Sequence, residues 1–229
     1  MSITSIKSQT EKCFILGVCS NIEDYNYANS LDINVIMCIN LPLGIKYQFG
    51  MEYCKLFYPK NVIIMGSDDT ISNNYIENIN KYIDKYDIVG LNNWRIKEIP
   101  SNDIYILKYS HKIINGYWGG TNSIWKKLFN TNINGFMSKN FVKCPFSIGA
   151  GRSLGFKILN KLNWQVYVDA SINLDTICLF NLIILNKANY ITLNSNVFYM
   201  TSIKDNSIEM ITTKEAYMNC DHITVTPID

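Results

Sequence analysis

Short apolar runs along this chain alternate with stretches in which apolar residues recur every three or four positions. Residues 13 to 18, Cys-Phe-Ile-Leu-Gly-Val, form the first run and end in Cys19-Ser20-Asn21, which predicts a strand followed by a turn. Glu23 to Ser30 reads as a short helix, and Asn34-Val35-Ile36-Met37-Cys38 as a second strand. Pro42-Leu43-Gly44 then turns the chain into a helix of about four turns, Ile45 to Tyr58, which Pro59 closes. Val62-Ile63-Ile64-Met65 is the third strand; an uninterrupted apolar run reads as central in a parallel sheet. Ser72 is placed to cap a helix in which Ile76, Ile79 and Ile83 share one face, and Asp87 to Leu91 is a fourth strand. Strand and helix in alternation predict an α/β fold, doubly wound, with a mostly parallel central sheet and helices on both faces.

The second half is less regular. Ile104-Tyr105-Ile106-Leu107 reads as a strand and Gly116 to Gly120 as a tight loop, with Thr121 or Asn122 capping a helix through Ile124, Trp125 and Leu128. Gly149-Ala150-Gly151-Arg152 leads into a predicted helix with Leu154, Ile158, Leu159 and Leu162. Asn173 starts a helix that is apolar almost all round, Leu174 to Leu185, with Asp175 in its first turn. From Thr201 the chain is polar and reads as a tail on the surface. No repeat or low-complexity linker interrupts it, so residues 1–229 are expected to form a single domain.

Composition excludes several function classes. At 229 residues and 48% hydrophobic content there is material for one substantial core. No apolar stretch reaches the roughly 18 residues of a membrane-crossing helix, so no membrane span is expected. Met1-Ser2-Ile3-Thr4 lacks the features of a secretory leader. Seven cysteines, an odd number without a CxxC pair, point to free thiols in a reducing compartment, hence a cytoplasmic protein. A net charge of +2 gives no footprint for nucleic acid. Arg95 and Arg152 are the only arginines, while Asn, Ile, Tyr and Lys abound. Those residues share A/T-rich codons, as expected of an A/T-rich microbe or a large DNA virus, where the location would be the host cytoplasm.

The chemistry concentrates in Met65-Gly66-Ser67-Asp68-Asp69-Thr70. Two adjacent carboxylates at the end of an apolar strand must be hydrated, paired or metal-bound. Ligands gather at the carboxyl ends of strands in α/β sheets, so a divalent cation carrying a phosphorylated substrate is the expected occupant. The plainer alternative is an Asx turn opening the next helix.

Taken in order, the segment from Pro42 to Met51, then Met65-Gly66-Ser67-Asp68-Asp69, then Trp118-Gly119-Gly120, then a helix opening with Asp175, resembles family-2-type glycosyltransferases of the GT-A fold. The resemblance covers roughly residues 13 to 190. It implies a nucleotide-sugar donor, UDP- or GDP-linked, and a glycan or protein acceptor. Ser67-Asp68-Asp69 would stand for the DXD-like motif, with Asp69 binding Mn²⁺ or Mg²⁺ and Ser67 and Asp68 facing the donor. Asp175 would take the acceptor proton in an inverting reaction, or merely stabilise the helix dipole; Asp169 is the substitute. Trp118, Gly119 and Gly120 would floor the acceptor site, or form an ordinary turn beside a buried tryptophan. Arg152 would hold a phosphate oxygen at a helix start, or pair with a carboxylate at the surface. Lys46 would lie near the nucleotide, or in solvent. His111 and His222 are isolated, and neither is assigned a ligand role.

The chain departs from that family at its beginning. The acidic pair arrives by residue 68, leaving room for two strands before its own, and residues 1 to 11 supply at most a helix. The family's first strand is therefore expected to be missing. The strand at 13–18 would match the second, with Ser20 and Asn21 toward the base. Either the nucleotide pocket is built differently, a partner chain or oligomer completes it, or donor binding is lost. Two rival readings follow: a degenerate, non-catalytic glycan-binding or assembly subunit of the same fold, and a polymerase-palm-like nucleotidyl transferase with paired aspartates.

Overall fold

Up to the acidic pair, the alternation of strand and helix is built as read. In a computed structural model, which describes residues 2–40, 42–91, 93–99, 101–109, 150–169, 174–195, 197–205 and 223–228, the chain before the first strand supplies a helix, α1 (Ser2–Lys7). Then come β1 (Leu16–Cys19), α2 (Ile22–Ser30), β2 (Asn34–Met37), α3 (Leu43–Lys55) and β3 (Asn61–Ile63). After the acidic pair follow β4 (Asp69–Ile71), α4 (Tyr75–Ile83), β5 (Ile88–Leu91), β6 (Asn93–Ile99) and β7 (Ile104–Tyr109). The later part has β8 (Ser153–Gly155), α5 (Phe156–Lys161), α6 (Leu174–Leu179), which runs on as a π-helical turn over Phe180–Leu185, then β9 (Tyr190–Leu193), β10 (Met200–Asp205) and β11 (Ile223–Pro227).

The fold is mixed α/β. Among the described residues its strands form three sheets rather than one mostly parallel sheet: β1-β2, β11-β7-β6-β10-β4, and β3-β8-β5-β9. Parallel pairs are β1 with β2, β5 with β9, and β6 with β10; the others are antiparallel. The main departure is β8, which inserts antiparallel between β3 and β5. Its Ser153 and Leu154 are wholly enclosed. Extended backbone therefore occupies 153–155, where a helix was expected, and α5 opens only at Phe156. Likewise β3, expected to be central, pairs with β8 alone among the described residues and is half-buried along its length.

Side chains alternate across these sheets into two cores. Ile63 and Met65 pack on a first core, where α4 sets Ile76, Ile79 and Ile83 against Val89, Trp94 and Met200. Val62 and Ile64 pack on a second, with Met51, Leu154, Leu159 and Trp164. The three- and four-residue spacing in α4 buries all three isoleucines, each contributing about 1.5–3 kcal/mol by area. Ser72 does not cap that helix. Asn74 stands at the cap, and the Ser72 hydroxyl donates to Asn74 Oδ1 (3.0 Å) and accepts from the Tyr199 N–H (3.0 Å).

One polar side chain ties α3 to the later half. Gln48 Oε1 accepts from the backbone N–H groups of Val166 and Tyr167 (3.0 Å each), and its Nε2 donates to the Trp164 carbonyl (2.9 Å). Gln48→Leu keeps the volume and orphans two backbone donors. Urea unfolding is expected to show a loss of about 2 kcal/mol at unchanged m-value; a neutral result would mean water replaces the amide.

Candidate functional site

The acidic turn lies where β3 leaves its sheet. Ile64 continues the strand: its N–H donates to the Arg152 carbonyl (3.3 Å) and its carbonyl accepts from the Gly151 N–H (2.6 Å). The chain then reverses through Gly66 to Asp69, closed by the Asp69 N–H on the Gly66 carbonyl (3.3 Å). Asp69 opens β4, a strand no apolar run announces, since Asp69-Thr70-Ile71 carries a single aliphatic residue. What makes it a strand is its partner β10, with Ser202 in register with Asp69 and Met200 with Ile71.

The two aspartates are held differently. Asp69 is buried, at 3% exposure, and both its oxygens have partners: Ser202 Oγ donates to Oδ1, and the Gly66 N–H donates to Oδ2 (2.8 Å). Burial pushes its carboxyl above the usual range; the Ser202 and Gly66 hydrogen bonds pull it back, Asp68 raises it and Lys204 lowers it. Asp68 is exposed, its Oδ2 ion-paired with Lys204 and its carbonyl accepting from the Ile203 N–H (2.9 Å). Asp68 Oδ1 and Asp69 Oδ2 converge on Gly66, where a Cβ would lie 2.7 Å from the first and 2.9 Å from the second. Only glycine leaves that space open. Beneath the turn Tyr75, fully enclosed, donates to the Gly151 carbonyl (2.8 Å). Burial and the nearby Asp69 charge push its hydroxyl far up, so it remains a donor.

The remaining candidates are scattered. Ser67 is exposed beside Asp68. Arg152 is enclosed at 1% exposure and precedes a strand, so it is neither a surface ion pair nor a helix-start residue. The other arginine, Arg95, stacks on the Tyr199 ring at 3.6 Å. Lys46 lies in the first turn of α3, its Nζ donating to Asn40 Oδ1 (3.4 Å); burial and then the Asp24 charge push the Cys19 thiol up, and the Lys46 charge offsets part of that rise. Lys46 thus sits near the carboxyl end of β1, where Ser20 Oγ is buried without a hydrogen-bond partner among the described residues. Asp169 is exposed. Asp175 occupies the second position of α6, and its side chain lies outside the described residues, as do Trp118, Gly119, Gly120, His111 and His222.

Ser202, Lys204, Tyr75 and Gly151 complete the site and were not singled out from sequence. The segment from Thr201, expected as a surface tail, opens with residues 201–205 in β10, an interior strand of the five-stranded sheet. Its signal was the alternation Met200, Ser202, Lys204, three residues that share a face.

Among the described residues no three His, Cys, Asp or Glu side chains come together, and no helix is long and apolar enough to cross a membrane. No protein-family model matches the chain. No curated protein matches it. Among solved structures it is similar to S. aureus TarS, at 15% identity and a TM-score of 0.46, over 95% of this chain and 35% of that one. The chain therefore spans about a third of the length of that protein.

Proposed function

We propose that the chain is a glycosyltransferase that moves a sugar from a UDP- or GDP-linked donor to a hydroxyl of a glycan or protein acceptor, with metal dependence and inversion. The observation that carries this reading is the convergence of the Asp68 and Asp69 carboxylates over Gly66, just beyond the carboxyl end of β3. The order of motifs from Pro42 to Asp175 supports it.

The donor set fits a small hard cation. Such ions take one or two carboxylates and complete their shell with phosphate oxygens and water, so a third protein ligand is not required. Each hydrogen-bonded Asp69 oxygen keeps a further lone pair, and Asp68 Oδ1 faces the same space. Mn²⁺ or Mg²⁺ bound there would neutralise the charge that develops on the departing diphosphate. The protein's own share is positional. Gly66 keeps the space open, Ser202 and the Gly66 N–H fix Asp69, and β10 fixes Asp68 through Ile203. In this reading Asp175 accepts the proton of the attacking hydroxyl, Trp118, Gly119 and Gly120 form the acceptor floor, and Ser67 and Lys46 serve the donor, whereas the enclosed Arg152 supports the strand before the turn through its carbonyl.

Lys204 already gives Asp68 a cation, so a metal must compete with it. Calorimetric titration of UDP and GDP, with Mn²⁺ and with chelator, is expected to show metal-dependent binding to the wild type. Lys204→Met should tighten Mn²⁺ by at most a few-fold, because the ion pair is partly exposed. Absence of nucleotide binding in both proteins would sink the reading. One observation favours the non-catalytic alternative: both Asp69 oxygens already accept a hydrogen bond within the fold. Hydrolysis of a nucleotide-sugar separates the two.

A further inference from the structure

We infer that the face built by β2 and α3 is where a second copy of this chain docks, independently of the activity proposed above. A two-stranded parallel sheet is rarely left by itself, and among the described residues β2 pairs with β1 alone, which leaves its outer edge without a strand there. Open edges are normally blunted by charge, proline or a bulge. Residues 34 to 40, Asn-Val-Ile-Met-Cys-Ile-Asn, carry no charge, proline or glycine, and Met37 and Ile39 are 45% and 64% exposed.

The helix that follows β2, α3, packs against β1 and has one apolar stripe too many. Tyr47, Met51 and Cys54 face the second core, and Gly50 lies against Val18 of β1. Ile45, Phe49 and Leu56 share another flank by helical spacing, yet they are 36%, 41% and 67% exposed. Phe57, one residue past the helix cap, stacks near Phe14 at 4.2 Å between ring centroids, both almost half exposed. Of the 15 exposed large apolar side chains among the described residues, ten lie between Phe14 and Tyr58. A concentration of this kind marks an interaction surface.

Area and symmetry name the occupant. The exposed parts of these seven side chains sum to on the order of 700 Å², close to the roughly 800 Å² each partner gives a standard interface. A two-fold axis would pair β2 antiparallel with its copy, making one four-stranded sheet, and would lay the α3 flank on its equal. A lipid surface offers no partners for a strand's backbone, whereas a second edge of the same kind does.

Light scattering coupled to size exclusion is expected to show twice the 26.3 kDa chain mass in the micromolar range. Ile39→Lys and Leu56→Glu replace side chains more than 60% exposed, so folding, checked by circular dichroism, should survive. Each should weaken self-association at least tenfold, while Val197→Lys, at a 76% exposed site outside this face, leaves it unchanged. A wild type monomeric throughout that range overturns the inference, as does a dimer indifferent to both variants. So does a monomer that binds lipid vesicles through Ile39 and Leu56.

Discussion

Asp69→Asn is expected to abolish Mn²⁺-dependent nucleotide binding while leaving the protein as stable as the wild type or slightly more so. A residue kept only for the fold would behave in the opposite way. The side chain is 3% exposed and its charge is penalised first of all by that burial. Asparagine has the same shape: its Oδ1 accepts from the Gly66 N–H, and its Nδ2 donates to Ser202 Oγ once the serine hydroxyl turns away. Both contacts survive and the buried charge is gone. The gain should be about 1 kcal/mol, or some 2–4 °C in a chain of this size. Asp69→Ala would test something else, since it orphans Ser202 and the Gly66 N–H at a cost of about 1–3 kcal/mol.

The pH dependence gives a second handle. The folded pKa of Asp69 lies above its ordinary value of 3.8, so the folded chain holds a proton that the unfolded chain releases. This group therefore costs nothing below that value. Its penalty grows as pH rises from 3.8 through the raised folded value, and is constant above it. Asparagine has no such penalty. The stability difference between the variant and the wild type should be larger at pH 7 than at pH 4. A variant less stable at pH 7 would mean that the carboxylate is held as a counter-charge for Lys204, and undiminished nucleotide binding would remove Asp69 from the donor site.

Position along the chain made half of this site legible and hid the rest. An apolar strand followed by two aspartates located the turn, because strand, turn and charge are all local properties. The same locality gave α4 from Ile76, Ile79 and Ile83, and limited the chain before β1 to one helix. The partners were hidden because β4 meets β10 across 133 residues, and no period within either segment reports that pairing. In β6 the apolar alternation is masked by composition: Trp94, Ile96 and a buried Glu98 share the inner face, while Arg95 and Lys97 occupy the other. Glu98 is tolerated there because the Tyr105 hydroxyl donates to it at 2.8 Å, from a strand that must first be in register. The edge position of β3 was also invisible, since Val62 to Met65 face a core on each side and look like a central strand.

Gly151→Ala should be the most destabilising single-methyl change among the described residues. Gly151 sits at φ +75°, a left-handed conformation that costs an alanine about 1 kcal/mol before any contact is considered. The added Cβ would also lie 2.7 Å from Tyr75 Oη and 3.1 Å from Met200 Sδ, neither of which has room to retreat. If Tyr75 moves, its hydroxyl leaves the Gly151 carbonyl in a dry interior, adding about 1–3 kcal/mol. A loss of roughly 3 kcal/mol or more follows, read as a lower urea midpoint at constant m-value. Tyr75→Phe isolates the second component: it keeps the ring against Phe198 and removes only the donor, so it should cost about 1–2 kcal/mol. The pair also shows whether the acidic turn depends on this support. Gly151 N–H holds Ile64 two residues before Gly66, so Gly151→Ala should weaken Mn²⁺-dependent nucleotide binding as well as stability, whereas Tyr75→Phe should spare binding. Equal loss of binding in both would instead place the Tyr75 hydroxyl itself in the electrostatics of Asp69.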